Sequence, residues 1–149
     1  MPGNICFGCG KHTKEGLHIK SYWKGNYSEC LWTPKDIHQG WPHIMNGGII
    51  ATLIDCHCMG TAMAFAYKKE QRALDSLPEY RYATGSINVK YISPTPNKKI
   101  KLIASAESYS EKKIFLKCTL MYKNKITVTA EVWAFRVYDS SKNDNNFAP

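Results

Sequence analysis

One long stretch of mostly small and apolar residues, from 47 to about 66, constrains the fold more than any other feature. Its bulky residues recur near the 3.6-residue period of a helix: Ile49, Ile50, Leu53, Ile54, His57 and Met63. A helix with so little polar surface is expected to be buried. Asn46 directly precedes two glycines and is a favourable N-cap. The sequence therefore predicts one central helix that the rest of the chain encloses.

The rest of the chain alternates and is rich in β-branched and aromatic residues, which is typical of strands. Strands are predicted at 17–23 and 27–33, joined by a Gly25-Asn26 turn, and then at 84–92, 99–109, 113–122 and 126–138. Residues 34–42 are predicted to be a loop, and residues 67–82 the end of the helix followed by a loop. Two strands, one buried helix and four more strands indicate an α+β fold, in which an antiparallel sheet packs around one helix.

The length of 149 residues suits one domain with one core. Residues 1–16 are predicted to form an N-terminal loop segment, 17–138 the folded domain and 139–149 a disordered tail. The N-terminus lacks the layout of a signal peptide, and polar residues interrupt every apolar run before it reaches the length of a membrane span. The sequence therefore predicts a cytoplasmic protein without a membrane partner, whose six cysteines are mostly reduced.

The chain is basic, with a formal net charge of +8 from 20 Lys and Arg against 12 Asp and Glu. Such a surface attracts polyanions. The basic residues are scattered, and no nucleic-acid motif accompanies them, so no nucleic-acid partner is predicted. A small phosphate-bearing ligand is the best functional use of the excess. Lys98, Lys99 and Lys101 form a short cluster suited to phosphate groups.

Four reactive side chains, from Asp55 to Cys58, stand consecutively on the predicted helix. Successive helix residues point in different directions, so these four cannot enclose one metal ion. For the same reason, neither Cys56 nor Cys58 can face His57 as a thiol paired with its base. The two cysteines and the histidine are predicted to be packing residues, which leaves Asp55 as the candidate catalytic side chain.

A C-x₂-C pair, Cys6 and Cys9, lies in the first segment and has the spacing of a zinc site, with His12 nearby. No second pair follows in the sequence, and no βαβ pattern surrounds the pair as in a thioredoxin-like redox motif. The sequence therefore predicts neither a metal ion nor a cofactor.

Three segments together resemble the PaaI-like group of hotdog-fold thioesterases. They are CFGCG followed by GLHI, then HQGWPHIMNGGIIATLID, then TGSINVKYISPTP. The spacing from Gly-Gly to Asp and the tyrosine–x–x–proline close of the next strand are distinctive in combination. The resemblance spans roughly residues 5–138. It implies a long helix wrapped by a curved antiparallel sheet, a homodimer or a dimer of dimers, and hydrolysis of acyl-CoA thioesters.

The resemblance also assigns roles to particular residues. Gly47 and Gly48 form the turn that polarises the thioester carbonyl, where unpaired N–H groups and the helix dipole gather. Asp55 is the nucleophile or the general base, and the sequence does not separate these two roles. Thr84 would help to hold the attacking water. Gln39 stands one position away from an amide side chain that several relatives use.

Asn46 is the main departure from the family pattern, because the family commonly has histidine there. If that histidine is mainly a structural cap, asparagine replaces it well. If it takes part in the chemistry, activity is in doubt. The alternative function is therefore a non-catalytic protein that binds acyl-CoA.

Asp55 lies eight residues after Gly47, about 12 Å along a helix axis at 1.5 Å per residue. That distance is too long for the carboxylate to share one carbonyl with the N–H group of its own chain. If two such helices ran antiparallel across a dimer, Asp55 of one chain would approach Gly47 of the other. The sequence therefore predicts two equivalent sites, each built from two subunits.

Overall fold

In the computed structural model, which describes residues 4–142, one long helix packs against an antiparallel sheet. The elements are β1 (Tyr22–Lys24), β2 (Tyr27–Trp32), a short 3-10 helix (Asp36–His38), β3 (Gln39–Trp41), β4 (Ile44–Met45), α1 (Gly47–Lys69), β5 (Tyr80–Tyr91), β6 (Ile100–Tyr109), β7 (Lys113–Tyr122) and β8 (Lys125–Asp139). Six strands form one sheet in the order β1-β2-β6-β7-β8-β5, and β3 pairs with β4 alone. The predicted α+β hotdog fold is confirmed.

The core lies between α1 and the sheet. Leu53 and Ile54 on the inner face of α1 are fully buried. They belong to one apolar cluster with inward-facing residues of the sheet, including Leu102, Leu116 and Val132. Burial of each such side chain stabilises the fold by about 1.5–3 kcal/mol. This packing fixes which face of α1 is left for other contacts.

By length and composition alone, α1 is apolar enough to cross a membrane. The expectation that polar residues interrupt every run too early was therefore wrong, because its threonines, cysteines and single Asp55 reduce the apolar character only slightly. Half of its most apolar window is buried inside the protein. The helix packs as the core helix of the fold.

The predicted strand at 17–23 is wrong over most of its length, because β1 begins only at Tyr22. His18 has a left-handed φ of 51°, which interrupts an extended run. The N–H groups of Leu17 and Ile19 donate to the carbonyls of Phe7 and Gly8. This segment therefore binds the N-terminal turn instead of a neighbouring strand.

Other boundaries shift for tertiary reasons. The predicted loop at 34–42 contains the 3-10 helix and β3, and α1 continues to Lys69. β5 begins at Tyr80, inside a predicted loop, because it pairs with the long β8 from Tyr80 opposite Asp139. The predicted disordered tail falls mainly on residues 143–149, which lie outside the described residues.

Candidate active site

Asp55 and Thr84 meet at the wall of a cavity of about 540 Å³. Asp55 is half-buried on α1, and Thr84 is half-buried on β5. The Thr84 hydroxyl donates a hydrogen bond to Oδ1 of the carboxylate. Two of the residues selected from the sequence are therefore in direct contact, 29 positions apart in the chain.

A β-bulge directly follows Thr84 in β5. Thr84 lies opposite Ala134 and Ser86 opposite Trp133, so Gly85 is an extra residue in β5. A Cβ atom at Gly85 would lie 2.2 Å from the ring of Phe135, so only glycine fits there without movement of that ring. Bulges re-aim side chains and are frequent beside active sites. Sequence reasoning missed this feature, although a glycine inside a strand pattern is its usual signal.

The turn at the start of α1 is held by Asn46, which caps the helix. Its Oδ1 accepts hydrogen bonds from the N–H groups of Gly48 at 2.8 Å and Ile49 at 3.2 Å. The N–H of Gly47 has no hydrogen-bond partner within residues 4–142. Of the two glycine N–H groups selected from the sequence, the one at position 47 is therefore available to a ligand.

Tyr91, at the end of β5, fixes the same turn from the other side. Its hydroxyl donates to the carbonyl of Gly47 at 2.7 Å. β5 thus contacts both parts of the predicted site. Thr84 donates a hydrogen bond to the Asp55 carboxylate, and Tyr91 donates one to the glycine turn. The role of Tyr91 was not predicted, although it is the tyrosine of the strand-closing YISP segment.

Gln39 is engaged within its own loop. Its Oε1 accepts from the N–H of His43 at 2.6 Å, and its Nε2 donates to the carbonyl of Asp36 at 3.1 Å. Both ends of the amide are therefore occupied. The same loop approaches the cap, since a Cβ atom at Gly40 would lie 3.3 Å from Cα of Asn46.

One chain keeps the two halves of the site apart. The cavity lined by Asp55 and Thr84 does not include Gly47, Gly48 or Asn46 among its lining residues. The helical rise places the turn about 12 Å from the carboxylate along the axis. The cavity that contains the carboxylate is therefore not lined by the glycine turn of the same chain.

Three cysteines line the same cavity as Asp55. Cys56 lies beside the N-terminal turn, with its Sγ 3.6 Å from Sγ of Cys6. Hydrogen bonding from the Cys56 thiol lowers the pKa of Cys9 to about 5, and the same contact raises the pKa of Cys56. Cys56 packs against the main apolar cluster, as predicted, and the first segment also folds back onto this face of α1.

His57 points into the core. It is fully buried, and its Nδ1 lies 2.7 Å from the Ser21 hydroxyl. Burial lowers the pKa of His57 to about 4. Cys58, also fully buried, faces the sheet within the apolar cluster. These positions agree with the packing roles expected from the sequence for both residues.

The lysine cluster lies close to the loop that leads into the glycine turn at the start of α1. Lys98 and Lys99 are exposed, whereas Lys101 forms an ion pair with Glu29 at 3.5 Å. The preceding residue, Asn97, donates its N–H to the carbonyl of His43 at 2.8 Å, in the loop that leads to α1. Lys98 and Lys99 are therefore the members of the cluster left available to an anion near the turn.

Comparison with known proteins identifies several solved structures of the same fold. A thioesterase superfamily protein from Shewanella loihica is 29% identical, with a TM-score of 0.63 over 78% of this chain and 88% of the other. A thioesterase from Haemophilus influenzae has a TM-score of 0.72 at 11% identity, over 91% and 88%. The Escherichia coli PaaI protein, from the phenylacetic acid degradation operon, has a TM-score of 0.67 at 9% identity, over 83% and 82%. No protein-family model and no curated protein sequence matches this chain.

Proposed function

We propose that this chain, which shares its fold with solved thioesterases of the hotdog type, hydrolyses an acyl-CoA thioester to a free acid and CoA. The observation that carries the proposal is the contact between Asp55 and Thr84 at a cavity wall. A carboxylate in a cavity, oriented by a hydroxyl, is a suitable general base. The N–H of Gly47 at a helix N-terminus, which has no partner in the described part of the chain, is a suitable donor to an oxyanion.

In the proposed reaction, Asp55 accepts a proton from a water molecule as the water oxygen attacks the thioester carbonyl. Thr84 orients the carboxylate and offers its oxygen lone pairs to the same water. The negative charge that develops on the carbonyl oxygen is stabilised by the Gly47 N–H. The C–S bond then breaks, and the CoA thiolate takes up the proton held by Asp55.

A homodimer completes the proposed site. β5 is 12 residues long and lies at the end of the sheet, so one of its edges pairs with no strand within residues 4–142. Most of its second half is exposed: Gly85, Ser86, Ile87, Asn88, Lys90 and Tyr91. A long exposed edge strand is a template for pairing with another chain. Antiparallel pairing of two β5 edges about a two-fold axis would bring Gly47 of the partner subunit towards Asp55.

The basic surface supports CoA as the carrier of the acyl group. Lys98 and Lys99 are exposed beside the loop that leads to the glycine turn. Phosphate groups of CoA would be attracted to them while the thioester reaches the turn. The acyl group itself would occupy the cavity that contains Asp55.

The direct test is release of free thiol from a panel of acyl-CoA substrates by the purified chain. Asp55→Asn is expected to lower kcat by about 10²–10⁴-fold, because the general base is lost. Glu131→Gln, which removes an exposed carboxylate on β8, serves as the matched control. If wild type binds CoA without releasing thiol from any substrate, the chain is a non-catalytic acyl-CoA-binding protein. Equal turnover by Asp55→Asn and wild type would overturn the assignment of Asp55.

A further inference from the structure

Three thiols from distant parts of the chain converge beside the carboxylate. Cys6 and Cys9 lie in the N-terminal CFGCG turn, and Cys56 directly follows Asp55 on α1. The three Sγ atoms all lie within 4.8 Å of one another. Two thiolates on one tetrahedral zinc ion are about 3.8 Å apart, since each Zn–S bond is about 2.3 Å. The separation of 3.6 Å between Cys6 and Cys56 is close to that value.

The turn is shaped to receive Cys56. A Cβ atom at Gly8 would lie 2.2 Å from Sγ of Cys56, so a side chain at Gly8 would occupy the place of the thiol. A Cβ atom at Gly10 would lie 2.4 Å from the carbonyl oxygen of Cys6. That oxygen accepts a hydrogen bond from the N–H of Gly10 at 2.7 Å. Gly8 therefore permits the close approach of the turn to the helix, and Gly10 permits the tight fold of the turn itself.

The turn is also anchored to the core. Leu17 and Ile19 donate their N–H groups to the carbonyls of Phe7 and Gly8, each at 2.9 Å. Both side chains are buried in the main apolar cluster. The thiols are thus held at short distances by the fold itself, and a ligand would not need to gather them from a flexible segment.

We propose that Cys6, Cys9 and Cys56 bind one Zn²⁺ ion through three thiolates, with the fourth coordination position occupied by water and open to the cavity that contains Asp55. Thiolates are soft ligands that favour zinc over magnesium or calcium. Binding joins three thiolates and Zn²⁺ in an anionic tris-thiolate complex, and each cysteine that is still a thiol loses its proton to solvent as its S–Zn bond forms. The net charge of +8 makes an added anionic site tolerable for the chain. The zinc site is inferred from the thiols alone and does not rest on the proposed thioesterase activity.

Metal binding by the full chain tests the proposal without any assay of activity. Reduced protein is freed of metal with a chelator and then titrated with Co²⁺ as the spectroscopic probe. Wild type is expected to take up one ion per chain, with thiolate-to-cobalt charge-transfer bands and the visible bands of a tetrahedral site. Zn²⁺ should displace the cobalt, and X-ray absorption of the zinc form should show three sulfur ligands and one oxygen ligand.

Matched cysteine variants locate the site. Cys6→Ser and Cys56→Ser should each weaken cobalt binding by at least about 10-fold, whereas Cys30→Ala and Cys118→Ala, in the buried core, should bind like wild type. Cys6 is exposed, so its variant is expected to fold even if Cys56→Ser does not. Gly8→Ala, which retains all three thiols, should also weaken binding.

Two outcomes would overturn the zinc site. One is the absence of charge-transfer bands and of stoichiometric metal in folded, reduced wild type. The other is unchanged binding in Cys6→Ser. Loss of two hydrogen atoms per chain on air exposure, by mass spectrometry and without metal uptake, would identify the cluster as a disulfide-forming pair instead.

Discussion

At the residue scale, the hydrogen bond from Thr84 to Asp55 is the contact closest to the proposed chemistry. A hydrogen bond to a charged group contributes about 1.5–3 kcal/mol. Thr84→Val keeps the shape of the side chain and removes the donor. We expect kcat/KM for thioester hydrolysis to fall by about 10- to 100-fold. Thr84→Ser retains the hydroxyl and should stay near wild type, and equal loss in both variants would contradict a role for the hydrogen bond.

Asn46 gives a second prediction at this scale. Its side chain accepts from two N–H groups at the start of α1. Asn46→Ala should lower the free energy of unfolding by about 1 kcal/mol, as measured by urea denaturation, because the cap is lost. Asn46→Asp keeps an acceptor and should retain most of the stability. If the alanine variant were as stable as wild type, the capping account would be wrong.

The role of a single residue could be predicted from the sequence where that role depends only on residues adjacent in the chain. The position of Asn46 before two glycines was enough to predict a helix cap, since capping involves only the next three residues. Cys56 could not be interpreted in this way. Its neighbours, Cys6 and Cys9, are about 50 positions away, and their approach depends on how the first segment folds back over α1.

At the element scale, the bulge in β5 determines where Thr84 points. Gly85→Ala would place a Cβ atom against the Phe135 ring and should lower the free energy of unfolding by about 1–3 kcal/mol. Phe135→Ser in the same chain removes the obstacle and should restore much of the loss. Thermal unfolding of the two single variants and the double variant measures this coupling. Additive effects of the two substitutions would contradict the proposed clash.

The elements themselves were predictable to different degrees. The start of α1 and both ends of β7 agree with the sequence pattern, because signals within a few residues define them, such as the Asn46 cap before α1. The strand expected at 17–23 fails because Leu17 and Ile19 satisfy their N–H groups with the N-terminal turn. The early start of β5 depends on pairing with the end of β8, which no local pattern records.

At the scale of the whole molecule, Tyr82 is a partly buried group whose ionisation opposes folding. Burial raises the pKa of Tyr82 from its ordinary value of 10 to about 12. Between these values the unfolded chain loses the phenolic proton and the folded chain retains it, so stability falls as the pH rises. Tyr82→Phe should therefore make the urea midpoint less sensitive to pH between 10 and 12. Tyr22→Phe, at an exposed tyrosine, is the control, and an equal pH slope in Tyr82→Phe and wild type would contradict this account.

The proposed assembly brings together parts of the site that lie far apart within one chain. The helical rise between Gly47 and Asp55, about 12 Å, predicted from the sequence that they do not form one site within a chain. Within residues 4–142, one edge of β5 and the N–H of Gly47 have no partner, and both suit completion of the site by a second copy. A site built from two subunits remains the central prediction.

Complementation between two inactive variants tests that prediction most directly. Asp55→Asn removes the base, and Gly47→Pro removes the N–H while adding a ring that is well tolerated at the first helical position. The extended conformation of Asn46, with φ −63° and ψ 133°, also suits a residue before proline. Gly47→Ala, which keeps the N–H, is the control for the added side chain.

The two inactive proteins are mixed in equal amounts, unfolded and refolded together, and assayed for thiol release. In a site shared by two subunits, each mixed dimer contains one intact site and one doubly altered site. Random assortment then predicts recovery of about a quarter of wild-type activity. No recovery, with mixed dimers demonstrated by mass spectrometry, would contradict the two-subunit site.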